Sequence, residues 1–578
     1  MSQPDLTELP ARLQRCADLL RLSGESDFKA IAYEKAAAVI ESEGESLRFR
    51  RSEKELTELP SIGKSIAADL LAYLETGTLP TLESLEASIP PGLLAWLNLS
   101  GLGPKRAAKI HKNLGITELD ELREALNDGR VAELPGFGKK SAQKLLEALE
   151  WQSKHQDRCL ADTARDLAAA VENALRSHPG LDRLELAGSL RRGLETVGDI
   201  DVLAVCKTDS AGLHHTFRSM DSVTDVLAAG DTKSSVRLTE GRQVDLRTVS
   251  AVEFSAAWLY FTGSKEHNVF LRGRAREKGL TLNEYGLFPL VEGEADREHP
   301  LDCPDEAALY AALDLPFVPP ELREGLWESR ILTNALPQTL RAEDLRGILH
   351  AHSTWSDGKN TLEDMARATR ALGYAYLGIT DHSRSSAVAN GLSIERVEAQ
   401  WKEIDTLNRR FKDEGLGFRI LKGIECDILP DGSLDYPDEI LEGFELVIAS
   451  LHSSLDQEAA AMQARVESAL HHPAVTLLGH ATARRLLRRK SSALDMEKII
   501  HLAAKQGKGL ELNCSPDRME LDWRWGALAD EVGLKSALCP DAHSADTLAN
   551  ITRLGLPLAR KAGFTSDRLL NCSDPSTW

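Results

Sequence analysis

The second half of the chain alternates short apolar stretches with polar, helical ones, and this rhythm most restricts the fold. From residue 346 onward the apolar stretches include YLGIT, FELVIAS, TLLGH and GLELN. Short strands that alternate with helical segments predict an α/β domain with a parallel or barrel-like sheet. In sheets of this kind the ends of the strands carry the chemistry.

Metal-binding side chains follow nearly all of these apolar stretches. In the segment HAH, two imidazoles stand two residues apart and therefore project from one strand face, as a metal pair requires. Imidazole and carboxylate without thiolate suit Zn²⁺, Mn²⁺ or Fe²⁺. A single histidine here is more often a core or surface residue, but nine candidates favour a metal centre. They are His350, His352, Asp357, His382, Glu425, His452, His480, Asp541 and His543.

A second group of acids lies in the stretch GSLRRGLETVGDIDVLAV. Asp199 and Asp201 stand one residue apart in an expected buried strand and share its face. A bare pair of this kind more often marks a strand end in solvent. However, Asp245 in RQVDLRTV adds a third carboxylate, and three carboxylates can hold two cations about 4 Å apart. Such ions activate an attacking oxygen and stabilise a leaving pyrophosphate.

The residues before this pair suit a polyphosphate. Gly188 and Ser189 open a turn that leads into a helix-like stretch, and Arg191 and Arg192 lie inside it. Together they offer N–H groups, a hydroxyl and guanidinium groups. Oxygen ligands favour Mg²⁺ or Mn²⁺, which typically bring substrate phosphates with them.

The first 150 residues read as helices, and one turn recurs in them three times. The copies LPSIGKSIA, LSGLGPKRAAKI and LPGFGKKSAQKL each place glycine in a tight turn before a new helix with lysine in its first turn. Free N–H groups at such a helix start suit a backbone phosphate, and the pattern resembles the helix-hairpin-helix motif. A single copy would more often be only a structural helix cap, but three copies favour DNA binding. The residues concerned are Gly63, Gly101, Gly103, Lys105, Gly136, Gly138 and Lys139.

Composition limits the class of protein. At 578 residues the chain is too long for one core, and about 150 residues per domain indicates three or four units. No apolar run approaches the roughly 20 residues that span a bilayer, and no signal segment is evident, so we expect a cytoplasmic protein with no membrane partner. The net charge of −20 opposes a uniformly basic surface, but basic stripes remain where the lysines cluster.

The order GS, RR, GDIDV and a later VDLR resembles the nucleotidyltransferase core of the family X DNA polymerases, the family of DNA polymerase beta. The resemblance implies that Asp199 and Asp201 bind two ions, Mg²⁺ or Mn²⁺. It implies that Asp245 completes one ion site and helps to deprotonate a primer 3′-hydroxyl. WLYFTGSKEHNVFLR matches the family's nucleotide-binding segment. The implied contacts to an incoming dNTP are Gly188, Ser189, Arg192, Gly198, Tyr260, Phe261, Gly263, Asn268 and Arg272.

Some positions depart from the family pattern. Gln243 stands where an arginine bonds the third aspartate, and Val197 and Val269 replace a phosphate-binding serine and a lysine that faces the template base. Asp69 occupies the place of the lysine that performs deoxyribose-phosphate lyase chemistry. We therefore expect no strong lyase by that route, although Lys64 could substitute.

The nine strand-end ligands resemble the PHP (polymerase and histidinol phosphatase) domain, a (β/α)₇ barrel with a trinuclear metal cluster. The resemblance implies Mn²⁺ or Zn²⁺, with three ions expected, and cleavage of phosphodiesters from a 3′ end. Arg518 and Lys422 are candidate phosphate contacts.

The sequence thus predicts a multidomain α/β protein that fills short gaps from dNTPs in DNA repair and carries a 3′ to 5′ exonuclease. We expect it to act on gapped or nicked DNA as a monomer. Two alternatives stay open, a DNA-processing nuclease with a weak polymerase and a repair scaffold with an inactive PHP domain. The predicted segments are an N-terminal helical DNA-binding domain (1–85), a helix-hairpin-helix subdomain (86–152), a polymerase palm (153–250), a nucleotide-binding subdomain (251–317), a linker (318–345) and the PHP domain (346–578).

Overall fold

The computed structural model describes residues 6, 8–24, 27–50, 52–97, 99, 101–155 and 157–578. The chain divides into two compact units, 1–156 and 157–578. Within the described ranges, no helix combines the length and the apolar character needed to cross a bilayer.

The first unit is helical in its described parts, as the sequence predicts. Its buried apolar residues form one continuous core. Glycine precedes the first residue of α4 and α7, and the helix after the third repeated turn begins at Lys139. The helices are α1 (Leu9–Leu22), α2 (Asp27–Glu43), α3 (Glu53–Thr57), α4 (Lys64–Thr76), α5 (Pro80–Ser88), α6 (Pro91–Trp96), α7 (Pro104–Leu114), α8 (Leu119–Asn127) and α9 (Lys139–His155).

The second unit opens with the region predicted as the palm, a five-stranded sheet in the order β2-β4-β7-β6-β5. Its central strands β4 and β7 run parallel, and their shared face carries the acids described below. The palm elements are β1 (Cys159–Leu160), α10 (Ala161–Leu175), β2 (Leu181–Leu186), α11 (Gly188–Arg191), β3 (Thr196–Val197), β4 (Asp199–Cys206), α12 (Ser210–Arg218), β5 (Val223–Ala229), β6 (Lys233–Leu238) and β7 (Gln243–Val249).

A compact helical segment with a three-stranded sheet follows the palm. Its core extends into the segment 318–345, where Trp327 and Ile331 are buried, and Leu340 and Leu345 of the same segment belong to the barrel core. The proline-rich run predicted as a linker therefore joins the two regions as packed chain, because its large apolar side chains find partners on both sides. The elements are α13 (Phe254–Thr262), α14 (Lys265–Glu277), β8 (Leu280–Asn283), β9 (Gly286–Val291), β10 (Glu294–Ala295), α15 (Glu306–Ala312) and α16 (Glu328–Leu332).

The last region is a nearly closed barrel of seven parallel strands in sequence order, as predicted. A parallel bridge between Ala351 and Ala542 joins the first strand to the chain beyond the last. The strands are β11 (Gly347–Ala351), β12 (Tyr376–Ile379), β13 (Arg419–Asp427), β14 (Leu446–Ser450), β15 (Leu477–Leu478), β16 (Gly509–Asn513) and β17 (Lys535–Cys539). The helices are α17 (Leu362–Ala371), α18 (Ile394–Asp413), α19 (Asp438–Leu441), α20 (Ala459–His471), α21 (Met496–Lys505), α22 (Gly526–Glu531) and α23 (Leu556–Lys561).

Two candidate active sites

The palm acids meet because β4 and β7 are parallel neighbours. Asp201 stands opposite Asp245, and Asp199 stands opposite Gln243. Paired residues project to the same side of a sheet, so Asp199, Asp201 and Asp245 share one face. The start of α11 approaches this face closely, since a Cβ on Gly188 would lie 2.2 Å from Asp201 Oδ2. Glycine also suits the backbone there, which has φ of +62°.

Burial and the neighbouring acids act on the ionisation of Asp201. Burial, followed by the charges of Asp199 and Asp245, raises the pKa of Asp201 to about 7. Gln243 Nε2 donates to Asp245 Oδ1 at 2.9 Å, and Lys233 Nζ lies 3.5 Å from Asp245 Oδ2. In the family pattern an arginine bonds the third aspartate, and here Gln243 makes that bond. A divalent cation would favour the ionised form of the whole group, so the residues fit Mg²⁺ or Mn²⁺.

Arg192 lies between the palm and the segment after α13. Its Nη1 donates to the carbonyl of Thr262 at 2.5 Å, and its Nε donates to Glu324 at 2.8 Å. A Cβ on Gly263 would lie 3.1 Å from Arg192 Nη1, so these two predicted nucleotide contacts are adjacent. Arg191, by contrast, pairs with buried Glu306 and is committed to the packing of the second unit.

The remaining predicted nucleotide contacts lie either in α13 and α14 or in the palm. One small cleft is lined by Tyr260, Asn268 and Arg272, and Asn268 Nδ2 donates to the carbonyl of Tyr260 at 2.8 Å. Phe261 contacts the guanidinium of Arg247 face-on, with 4.5 Å from Arg247 Cζ to the ring centroid. Of the palm positions, Ser189 lies in α11 beside Gly188, and Gly198 immediately precedes β4.

The repeated turns have the backbone that the sequence predicts for them. Gly101 and Gly136 adopt the left-handed conformation, with φ of +81° and +83°. Gly63 and Gly103 cap α4 and α7, while Gly138 immediately precedes α9. Each of these helices therefore begins directly after a glycine, where an added Cβ would meet no atom within 4 Å, so the chain leaves room for a phosphate at the helix start.

One cation of these turns, Lys105, and the acid at the lyase position have defined partners. Lys105 Nζ lies 2.8 Å from Asp27 Oδ2, and Lys139 is the first residue of α9. Asp69 is buried and accepts from the hydroxyl of Tyr33 at 2.6 Å and from the N–H of Thr81 at 3.2 Å. A carboxylate held in this way cannot replace a nucleophilic amine.

The barrel brings together all nine predicted strand-end ligands. Glu425 lies near their centre. Its Oε1 is 2.8 Å from His480 Nε2 and 3.2 Å from His452 Nε2, and its Oε2 is 3.0 Å from His382 Nδ1. On one side, His352 Nε2 lies 3.2 Å from Asp541 Oδ1 and His350 Nε2 lies 3.4 Å from the same oxygen. On the other, Asp357 Oδ2 lies 3.5 Å from His543 Nε2 and 3.6 Å from His382 Nε2.

The ligand atoms form overlapping groups of metal-site size. In each group the candidate atoms lie within 4.8 Å of one another. Three groups consist entirely of predicted ligands: His352 with Asp357, His382 and His543; His350 with His352 and Asp541; His382 with Glu425 and His452. Overlapping sets of three and four ligands fit a cluster of three ions.

Buried polar atoms that make no hydrogen bond also indicate metal binding. Five such atoms lie in the cluster, although two of them, His382 Nδ1 and Glu425 Oε2, are only 3.0 Å apart. They are His350 Nε2, His352 Nδ1, His382 Nδ1, His480 Nδ1 and Glu425 Oε2. Buried nitrogen and oxygen atoms normally have partners, so a concentration of unpaired ones in one place calls for an explanation. Ions bound here would supply the missing contacts.

The pKa values show how strongly the cluster depends on opposite charge. Burial opposes the charged form of His382, but Glu425 and Asp357 outweigh it and raise its pKa to about 10. Burial and the neighbouring His543 and His382 lower the pKa of His352 to about 3. Imidazoles and carboxylates at such separations compensate one another, and bound cations would replace the protons.

Two carboxylates that the sequence analysis missed contact the predicted ligands. Glu511 accepts from His350 Nδ1, and Asp427 lies 2.5 Å from His452 Nδ1. Such contacts fix the ring orientation and the tautomer of a metal-binding histidine. Glu511 belongs to the strand GLELN, and an acid inside a buried apolar strand was the signal that could have found it.

The two candidate phosphate contacts have different surroundings. Arg518 is nearly buried, its Nε lies 3.5 Å from Asp541 Oδ2, and its Nε and Nη1 make no hydrogen bond. Lys422 instead pairs with Asp405 of α18 at 2.7 Å. Arg518 is therefore at the cluster, whereas Lys422 faces an outer helix.

Comparison with known proteins supplies the family. Residues 257–324 match the DNA polymerase beta thumb, and residues 349–515 match the PHP domain. Residues 5–79 match a helix-hairpin-helix domain, and residues 94–150 match a SAM-like helix-hairpin-helix tandem. The chain is 37% identical to the DNA polymerase/3′-5′ exonuclease PolX of Bacillus subtilis over 573 residues, 99% of this chain and 97% of that protein. The chain belongs to the family X DNA polymerases that carry a PHP domain.

Two more distant relatives each match one part of this family X chain. DNA polymerase lambda of Rattus norvegicus is 27% identical over 343 residues, 54% of this chain and 55% of that protein. A probable phosphatase of Thermoanaerobacter is 30% identical over 165 residues, 27% of this chain and 64% of that protein. The resemblances to the family X polymerases and to the PHP domain that the sequence motifs indicated are thus confirmed.

Proposed function

We propose that this DNA-directed DNA polymerase fills short gaps during DNA repair and removes nucleotides from 3′ ends with its barrel. The pairing of Asp201 with Asp245, with Asp199 on the same face, carries the polymerase half of the proposal. The complete set of nine ligands carries the nuclease half and argues against a barrel kept only for its shape. We also infer that the protein works as a cytoplasmic monomer on gapped or nicked DNA, gripped by the repeated turns.

In the palm, the three carboxylates hold the reacting groups of primer and dNTP together. Divalent ions bound there, Mg²⁺ or Mn²⁺, supply positive charge to the primer 3′-hydroxyl and to the leaving pyrophosphate. Gln243 keeps Asp245 oriented to accept the hydroxyl proton. Arg192 and the N–H groups at the start of α11 bind the triphosphate, and the ring of Tyr260 borders the sugar.

In the barrel, the nine ligands hold the ions and Arg518 contacts the scissile phosphate. Mn²⁺ or Zn²⁺ held by these ligands, three ions in our proposal, would supply positive charge to the phosphate and would lower the pKa of a water. The guanidinium of Arg518 has unpaired N–H groups beside Asp541, so it can donate to a phosphate oxygen as charge develops. Glu511 and Asp427 keep His350 and His452 aligned throughout.

Primer extension and degradation on DNA with a one-nucleotide gap test both halves. Asp199→Ala should abolish extension and keep degradation, and His350→Ala should do the reverse. Matched controls are Asp182→Ala, at a surface ion pair of the palm, and His472→Ala, at a barrel histidine paired with Asp438. Extension that survives Asp199→Ala would refute the palm site, and degradation that survives His350→Ala would refute the barrel site.

Metal analysis of the purified protein tests the proposed ions. We expect close to three transition-metal ions per wild-type chain and fewer in His350→Ala. A wild-type chain without such ions would contradict a metal-dependent nuclease.

A further inference from the structure

A buried lysine of the barrel region reaches into the polymerase half. Lys561 is the last residue of α23, and its side chain is 1% exposed. Its Nζ lies 2.9 Å from Glu324 Oε1 and 4.8 Å from the ring centroid of Trp523. Its carbonyl accepts from Trp327 Nε1 at 3.2 Å, so the backbone is fixed as well.

The oxygen that pairs with Lys561 also holds the predicted triphosphate contact. Arg192 Nε lies 2.8 Å from the same Glu324 Oε1. One carboxylate oxygen is thus shared by two cations, one from the palm and one from the barrel region. The side chains of Arg192 and Glu324 are only 12% and 10% exposed, so water screens this group weakly.

The sign of the charges explains why a second cation is needed. Arg192 and Glu324 alone sum to zero, and such a pair has little attraction for a polyphosphate. With Lys561 the three groups sum to one positive charge. The nearby Glu195 does not cancel it, because Arg524 Nη1 bonds Glu195 at 3.2 Å and Asp522 at 2.9 Å, and Asp522 also accepts from Arg484 at 2.9 Å. These two acids are thus balanced by two arginines.

We propose that Lys561 is a positioning residue for the polymerase reaction: it neutralises Glu324, so that Arg192 keeps its position and its net positive charge toward the triphosphate. This inference rests on the proposed role of Arg192 in binding dNTP. It makes the barrel region part of the nucleotide site, separately from its nuclease chemistry. The barrel region therefore contributes the positive charge of Lys561 to the nucleotide site.

Steady-state gap filling with dNTP titration tests the proposal. Lys561→Met replaces the amine by an apolar chain of similar length, and we expect the KM for dNTP to rise about tenfold with a smaller change in kcat. Glu324→Gln combined with Lys561→Met removes both charges and should return KM to within about twofold of wild type. Lys508→Met, at a half-buried barrel lysine bonded to the carbonyl of Pro473, is the matched control and should leave KM unchanged.

Several outcomes overturn the proposal. A wild-type KM for Lys561→Met would do so, and so would a double variant no better than the single one, because a purely structural role predicts that two buried changes are worse than one. Arg192→Ala separates the proposed role of Arg192 in binding dNTP from the proposed role of Lys561. If it leaves KM unchanged, the role proposed for Arg192 fails and this inference fails with it. If it raises KM while Lys561→Met does not, only the role of Lys561 fails.

Folding is followed by thermal melting and by exonuclease activity on single-stranded DNA. If Lys561→Met does not fold, Glu324→Gln alone decides the matter. Both cations then remain without the carboxylate, and KM for dNTP should fall about threefold. A rise in KM in that variant would overturn the proposal.

Discussion

Glu511 accepts from His350 Nδ1 inside the barrel, and both side chains are fully buried. The pair joins the end of β11 to β16 across the interior of the barrel. His350 also has φ of +64°, a left-handed conformation that is uncommon for a residue with a side chain. An uncommon backbone conformation and a buried carboxylate partner together hold the imidazole in one orientation, as metal ligation requires.

Glu511→Gln should therefore weaken metal binding without unfolding the barrel. Loss of an orienting carboxylate typically lowers metal affinity or activity by about 10- to 100-fold. Titration of the metal-free protein with Mn²⁺, followed by calorimetry, measures the affinity. Glu445→Gln, at a carboxylate that accepts from the N–H of Lys422 at 3.0 Å, is the control. Equal affinities in wild type and Glu511→Gln would contradict the orienting role.

Gly188→Ala should abolish polymerisation and spare the nuclease. The added Cβ would lie 2.2 Å from Asp201 Oδ2, and the position has φ of +62°, so either the carboxylate or the start of α11 must move. Extension and degradation assays on one preparation separate the two activities. Gly273→Ala in α14 is the control, because a Cβ added there would meet no atom within 4 Å. Normal extension by Gly188→Ala would mean that this close approach is not needed.

Gln243→Ala should lower kcat for gap filling by about 10- to 100-fold, because Asp245 loses the donor that orients it. Gln243→Arg should recover most of the rate, since a guanidinium can donate to the same oxygen. Exonuclease activity serves as the internal control for folding. If Gln243→Ala retains full kcat, the hydrogen bond has no part in catalysis.

Glu306 should stabilise the second unit in a pH-dependent manner. Burial alone would raise its pKa, but Arg191 and Arg323 outweigh burial and lower the pKa from 4.5 to about 2. A lowered pKa means that the contribution is complete above about pH 4.5 and is lost as the pH falls toward about 2.

Glu306→Gln should accordingly lower the thermal midpoint at pH 7, by the equivalent of about 3–5 kcal/mol, because two buried guanidinium groups lose their partner. The difference from wild type should shrink as the pH is lowered below 4.5. Thermal melts across this range measure both effects, with exposed Glu294→Gln as the control. A difference that stays constant with pH would show that Glu306 does not act through its charge.

Much of both sites follows from local sequence pattern. The alternation of strand faces places Asp199 with Asp201, and the apolar stretches place nearly all of the nine predicted ligands at or after strands, because the two-residue period of a strand is a local property. Glycine before a basic helix start similarly identifies the repeated turns. These features need no knowledge of which strands are neighbours.

Only the tertiary structure decided which distant residues meet. The register that sets Asp201 opposite Asp245, the bond from Glu511 to His350 and the oxygen of Glu324 shared by Arg192 and Lys561 all join segments far apart in the chain. The packed course of the segment 318–345 is of the same kind, since Trp327 is buried and donates to the carbonyl of Lys561. The spacing of residues along a strand shows on which face a side chain lies. The residue that it contacts depends on how distant segments pack together and on where charge is buried, and the whole fold sets both.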